Sequence, residues 1–168
     1  MAADSQVTAG TASRPAIVTF QLPLVYRLFF LVIEPLATFA GAFYCFFKQK
    51  EFLDMTHPES SPSSPIPLGT SVITAQLGNC YLLFALNEAV TLRCTSDLRV
   101  WKVMLFCFLV ADLSHFWTVK PLGIYFDVGS WSAAHWGYFG LMYVAVVLRV
   151  AFLLGVGLGG GSKVKKTA

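Results

Sequence analysis

Four runs of apolar residues, each about as long as a bilayer is thick, limit what this chain can become. They cover residues 24–47, 68–92, 101–119 and 134–158. A helix needs roughly 20 apolar residues to cross the hydrocarbon core. In lipid every backbone N–H and C=O must be satisfied within the segment, so such runs fold as helices. The expected fold class is therefore all-α: a polytopic membrane protein with a bundle of four transmembrane helices. Of the 168 residues, 56% are hydrophobic and only 12% charged. Soluble chains carry about 25% charged residues, so half the usual charge points to a bilayer and not to water. The third run is the shortest, and Lys102 and Lys120 flank it with stems long enough to reach the interfaces. The net charge of +3 is small, and no basic patch interleaved with aromatics is present, so nucleic acid is not an expected partner.

The connectors set the domain limits. Residues 1–23 open small and polar, without a basic stretch leading into an apolar core. They read as a disordered cytosolic tail, with the first apolar run acting as the insertion signal. Residues 24–158 form the expected transmembrane domain, and residues 159–168 a basic cytosolic tail. The stretch 48–67 is polar and ends rich in Ser and Pro, which predicts an exposed loop. Residues 93–100 predict a tight turn between helices. Residues 120–133 mix Pro, Gly and aromatics, which places Tyr125, Phe126 and Trp131 at headgroup level and Asp127 and His135 in the same wet zone. Trp117, Trp131, Trp136 and Tyr138 suit an aromatic belt, and Trp117 also suits the roof of a pocket.

Lysine and arginine bias orients the bundle. With a cytosolic N-terminus that side receives Arg14, Arg27, Arg93, Arg99, Lys102, Lys163, Lys165 and Lys166, and the other receives Lys48, Lys50 and Lys120. Eight against three predicts that both termini are cytosolic. The chain ends KVKKTA, and Lys165 and Lys166 stand at the positions of a dilysine retrieval signal. Such a signal is read by a receptor on a free cytosolic C-terminus and predicts residence in the endoplasmic reticulum membrane.

Candidate chemistry comes from polar residues at membrane depth. Glu34 and Asp112 each lie about ten residues into a run, with Arg149 and Asn79 near the middle of theirs. A charged side chain at the bilayer centre costs at least about 2.5–3.5 kcal/mol. Such groups should turn inward and pair. Arg149 can neutralise one carboxylate, either Asp112 or Glu34. The other, left without a cation, becomes a candidate proton donor. His115 follows Asp112 by one helical turn, so the aspartate can orient the ring and the pair can shuttle a proton. The alternative is a buried histidine bonded to a neighbouring carbonyl. The expected catalytic set is Asp112, His115 and Glu34. Gln76, Asn79 and Asn87 share one broad face of the second run and either bind ligand or glue helices together. With Arg149 and Trp117 they complete the expected ligand-binding set. Glu88 lies near the cytosolic end, where it pairs with Arg93 or Arg27 or serves at the rim. Pro35 frees a backbone carbonyl and bends the helix beside Glu34.

Asp112 and His115 offer two metal ligands and Glu34 a third, but no second histidine lies at depth, so neither a metal nor another cofactor is expected. The four cysteines, Cys45, Cys80, Cys94 and Cys107, form no C-x-x-C pair and read as small buried hydrophobes.

Several stretches together resemble a known group: YRLFFLVIEPLATFAGAFY (26–44), EFLDMTHP (51–58), QLGNCYLLFALNEAVTLRCTSDLRVWKVMLF (76–106), ADLSHFWTVKPLG (111–123) and WGYFGLMYVAVVLRVAFLLGVGL (136–158). The chain is similar there to small four-pass membrane proteins of fungi whose function is unknown. That resemblance implies a membrane location and carries over no catalytic residue. The architecture also resembles the four-pass emopamil-binding and sigma-2 receptor superfamily. That likeness implies cytosolic termini, residence in the endoplasmic reticulum and acidic residues around a lipophilic pocket, and some members isomerise sterols by proton transfer.

Two functional expectations follow. The first is a membrane protein with an intramembrane polar pocket for a lipophilic small molecule, sharpened to an acid–base isomerase or cyclase acting on an isoprenoid or sterol-like substrate in fungal secondary metabolism. The second is a non-catalytic adaptor or accessory subunit, partnered by another membrane protein or by its own copies, whose buried polar residues only pack helices. A proton-coupled transporter is the weaker third reading, because no paired broken helices are visible.

Overall fold

The computed structural model describes residues 18–57, 61–159 and 163–164. Its helices follow the apolar runs, with informative departures. Helix α1 covers Leu24–Phe47. Its middle, Phe29–Ile33, is wound as a π-helix just ahead of Pro35. Pro35 has no N–H to give the carbonyl of Leu31 four residues back, and its ring crowds that carbonyl. The backbone widens there, and the Arg93 guanidinium donates to the Leu31 carbonyl oxygen in place of the missing N–H.

Residues 49–56 correct the expectation of a loop. Gln49–Thr56 forms a short helix, α2, with Phe52 buried on its inner side. Ion pairs Lys48–Glu51 at 3.1 Å and Lys50–Asp54 at 2.7 Å lace its outer side. A single apolar anchor leaves little periodicity to read. Helix α3 then runs Leu68–Ala89. Helix α4 is Leu98–Val119, started by Asp97, whose Oδ1 accepts the Arg99 N–H at 2.8 Å. Helix α5 is Trp136–Leu153. It stops short of the expected 158 because Gly155 and Gly157 turn the backbone to φ of 82° and 72°, where side chains are strained.

Among the described residues, three helical segments are long and apolar enough to cross a membrane: α1, α4 extended to Leu122, and α5. Helix α3, the expected second span, is not among them. Helix α3 has the length, at 22 residues. Thr70, Ser71, Thr74, Gln76, Asn79, Asn87 and Glu88 lower its hydropathy below that of the other three.

Helix α3 packs against α1 along most of its length. Gly78 makes this possible, because a Cβ there would lie 3.0 Å from Cys45 Cβ and 3.1 Å from the Phe46 ring. Helices α4 and α5 form the second pair. One aromatic core joins Tyr26, Phe29 and Phe30 of α1 to Trp101, Leu105 and Phe108 of α4 and Phe152 of α5. A smaller core at the opposite end holds Val119, Tyr125 and Phe139. The polar residues meet between the two. At the chain ends, Val18–Thr19 pairs antiparallel with Lys163–Val164.

Candidate functional site

Arg149 on α5 is only 3% exposed, and its planar fork gathers three helices. One terminal nitrogen, Nη1, donates to Asp112 of α4. The other, Nη2, donates to Glu34 of α1 and, at 3.1 Å, to Glu88 Oε1 of α3. The rings of Phe108 and Phe30 lie 5.4 and 6.0 Å from the guanidinium carbon and screen it from lipid. The expectation that Arg149 pairs with one carboxylate is corrected: it meets both Glu34 and Asp112, and Glu88 as well.

Glu88 is the larger correction. It is 1% exposed and does not pair with Arg93 or Arg27. The inward residues of α3 are Thr74, Gly78, Ala85 and Glu88, spaced to fall within about 80° of one another around the helix. Glu88 continues that stripe. Three carboxylates against one guanidinium leave a formal excess of two negative charges. The second oxygens of Glu34 and Glu88 meet no other donor among the described residues, and the two carboxyl groups lie within reach of each other to share a proton. Buried charge in excess must be met by protons or by a ligand.

Beside this cluster lies a cavity of about 440 Å³, walled in part by Glu34, Glu88, Asp112, His115 and Arg149. Phe52, Phe84, Leu141 and Met142 supply its apolar lining. His115 shares a wall with Asp112 as the helical spacing predicts, yet no hydrogen bond joins them among the described residues. Asp112 turns to Arg149, while His115 packs edge-on against Tyr125 at 5.9 Å and its Nε2 is buried without a partner. Tyr125 sits in the loop after α4, fully buried. Burial pushes its phenol above the ordinary value, so it remains protonated.

A tyrosine pair completes the cavity. The hydroxyls of Tyr81 on α3 and Tyr138 on α5 lie 3.0 Å apart, and both side chains line the space. Tyr138 was expected in the interfacial belt and instead points inward. Tyr81 lies three residues beyond Gly78 on the inward stripe, a spacing that identifies it.

The remaining expected ligand contacts do not reach the cavity. Gln76 and Asn79 are exposed on the outside of α3. The Asn87 amide donates to the Leu83 carbonyl at 2.9 Å and lies one turn from Thr91, whose hydroxyl approaches it at 3.4 Å. Trp117 is 75% exposed, with Lys120 Nζ 5.6 Å from its ring centre, and roofs nothing. Lys165 and Lys166 lie outside the described residues. Cys80, Cys94 and Cys107 are exposed, and only Cys45 is buried, as expected of all four.

No curated protein and no solved structure matches the chain. A match does extend over residues 19–159, to the domain of unknown function DUF7704, and it takes in all five helices and every residue of the cavity wall, so the protein belongs to that family.

Proposed function

We propose that this is a four-pass membrane protein of the endoplasmic reticulum whose cavity takes a lipophilic small molecule and exchanges protons with it. The observation that carries the reading is the cavity itself. Its volume of about 440 Å³ falls within the range of about 300–1,000 Å³ common for small-molecule sites. Its lining is mostly apolar, with a few convergent polar groups. The carboxyl groups of Glu34, Glu88 and Asp112 on the cavity wall suit recognition of a hydroxyl group of an isoprenoid or sterol-like substrate. An isomerisation there needs no redox partner. A carboxyl group of the cluster protonates one carbon of a double bond, and the His115 imidazole, on the same cavity wall, takes a proton from a carbon further along. The double bond moves, and atoms and charge balance. Arg149 holds the carboxylates in place.

Four crossings are favoured by parity. Val18–Thr19 pairs with Lys163–Val164, so both ends lie at one face of the bundle, which an even number of crossings requires. The packing of α3 along α1 supports a common depth for the two helices. The lysine and arginine bias then supports cytosolic termini, and Lys165 with Lys166 supports retrieval to the endoplasmic reticulum.

The second reading, an adaptor, draws on the same arginine, because a guanidinium that ties four helices together is useful to any bundle. Lipophilic extracts of a deletion strain separate the two. Rescue is compared for wild type, Asp112→Asn and His115→Gln at matched protein levels. Under the catalytic reading one compound accumulates, and only wild type clears it. Among the described residues His115 makes no ion pair, so its variant tests chemistry without disturbing the cluster. Full rescue by His115→Gln and Asp112→Asn supports the adaptor.

A further inference from the structure

We infer that the cleft between the start of α1 and the turn joining α3 to α4 binds the phosphate of an anionic phospholipid. This site is separate from the cavity around Arg149, and it does not depend on α3 crossing the membrane. The cleft measures about 700 Å³. Its charged groups are Arg27 and Arg93, joined by the hydroxyls of Thr95 and Ser96. No carboxylate among the described residues lines it. Asp97, next to Ser96, is engaged as the cap of α4, where it accepts the Arg99 N–H at 2.8 Å. Neither Arg27 nor Arg93 makes an ion pair among the described residues. Thr95 Oγ1 accepts the Asp97 N–H at 3.1 Å, which leaves its own proton to donate.

Local structure explains why two cations meet here. The π-helical turn ahead of Pro35 leaves the Leu31 carbonyl open, and the Arg93 guanidinium donates to it. That bond holds the cation against α1 and leaves its other N–H groups for a ligand. Arg27 stands four residues before Leu31, one helical turn away on the same face. Like charges on one cleft repel, and an anion between them turns that repulsion into attraction. Leu22, Val32 and Leu92 add apolar surface beside the cations, which suits an acyl chain next to a phosphate better than a bare ion. The depth agrees. Tyr26 and Phe29 of α1 share one core with Trp101 of α4, so both helices begin at this end. Both are long and apolar enough to cross a membrane. Helix α1, at 24 residues, rises about 36 Å against a hydrocarbon core of about 30 Å. Arg27 in its first turn therefore sits about where hydrocarbon gives way to headgroups. Basic clefts between helices at that level suit anionic headgroups.

Native mass spectrometry of the full-length protein, released from detergent, tests the site. Dioleoylphosphatidylglycerol or dioleoylphosphatidylcholine is added first. Wild type should retain phosphatidylglycerol in preference to phosphatidylcholine. This comparison needs no variant, so it stands even where a substitution disturbs the fold. Arg27→Gln should weaken phosphatidylglycerol retention about tenfold, the loss of one charge-assisted hydrogen bond. Arg99→Gln removes another exposed cation near the same turn, but Arg99 does not line the cleft, so retention should hold. Equal retention of the two lipids overturns the inference. Equal losses for the two variants reduce the effect to general surface charge and also overturn it. Inorganic phosphate added to wild type separates the two sources of phosphate. It should displace little of the lipid. Displacement by phosphate at a concentration matching the lipid would make a soluble anion the ligand and overturn the lipid assignment.

Discussion

Arg149 has a task that lysine could not perform. Its fork reaches Asp112 with one nitrogen and Glu34 and Glu88 with the other, while the rings of Phe30 and Phe108 lie close to its guanidinium carbon. Removing the cation leaves three buried carboxylates with nothing to balance them. Breaking one buried ion pair costs about 3–5 kcal/mol, so Arg149→Leu should abolish or sharply lower the thermal transition of the detergent-purified protein. Glu88→Gln should behave in the opposite way. The amide keeps an oxygen for Arg149 and offers an N–H toward the second Glu34 oxygen, while the excess negative charge falls by one. Its melting temperature should match or exceed wild type. A loss as large as that of Arg149→Leu would refute the charge argument. The sequence marked Glu34, Asp112 and Arg149 by depth alone, since each lies well inside an apolar run. Glu88 escaped because its place near the end of the run suggested the rim, and because packing, not the sequence, decides which face of α3 turns inward, bringing Glu88 to Arg149 and leaving Asn79 outside.

At the scale of elements, the same distinction separates what could be read from what could not. Hydropathy located the long helices because lipid leaves the backbone no alternative. The disturbance at Pro35 was also legible, since the missing N–H is a covalent fact. That the freed carbonyl would be taken by Arg93, 62 positions away, depends on packing and leaves no local mark. Helix α2 was hidden for a similar reason: its one buried anchor, Phe52, meets Tyr81 across a long sequence gap, with ring centres 6.4 Å apart. The α1–α3 contact is the element most exposed to a single change. Gly78→Leu forces a branched side chain into the place where Cys45 and Phe46 already lie within 3.2 Å of a bare Cβ. Overpacking of this kind costs typically about 1–3 kcal/mol. A matching drop in thermal stability is expected, with α1 and α3 pushed apart. An unchanged melting temperature would mean that the two helices are not pressed together at this point.

The whole molecule poses a question of parity. Three segments meet the length and hydropathy needed to cross, whereas the ladder between Val18–Thr19 and Lys163–Val164 brings both chain ends to one face. Three crossings would separate those ends by the full bilayer. The fourth crossing proposed for α3 would remove the conflict and would set Glu88 at the depth of Arg149 within the bundle instead of at a water boundary. The polar residues that lower its hydropathy are partly internal: Thr74 donates to the Thr70 carbonyl at 2.8 Å, and Glu88 is held by Arg149. Glycosylation mapping decides the matter. Acceptor sites are carried on flexible polar inserts in three connections: 61–66 before α3, 94–96 between α3 and α4, and 127–130 before α5. If α3 crosses, the first and third are modified and the second is not. If α3 lies on one side, the first two share a fate and the third differs. In that case Gln76 and Asn79 face water and need no partner, and Glu88 reaches Arg149 from the membrane surface.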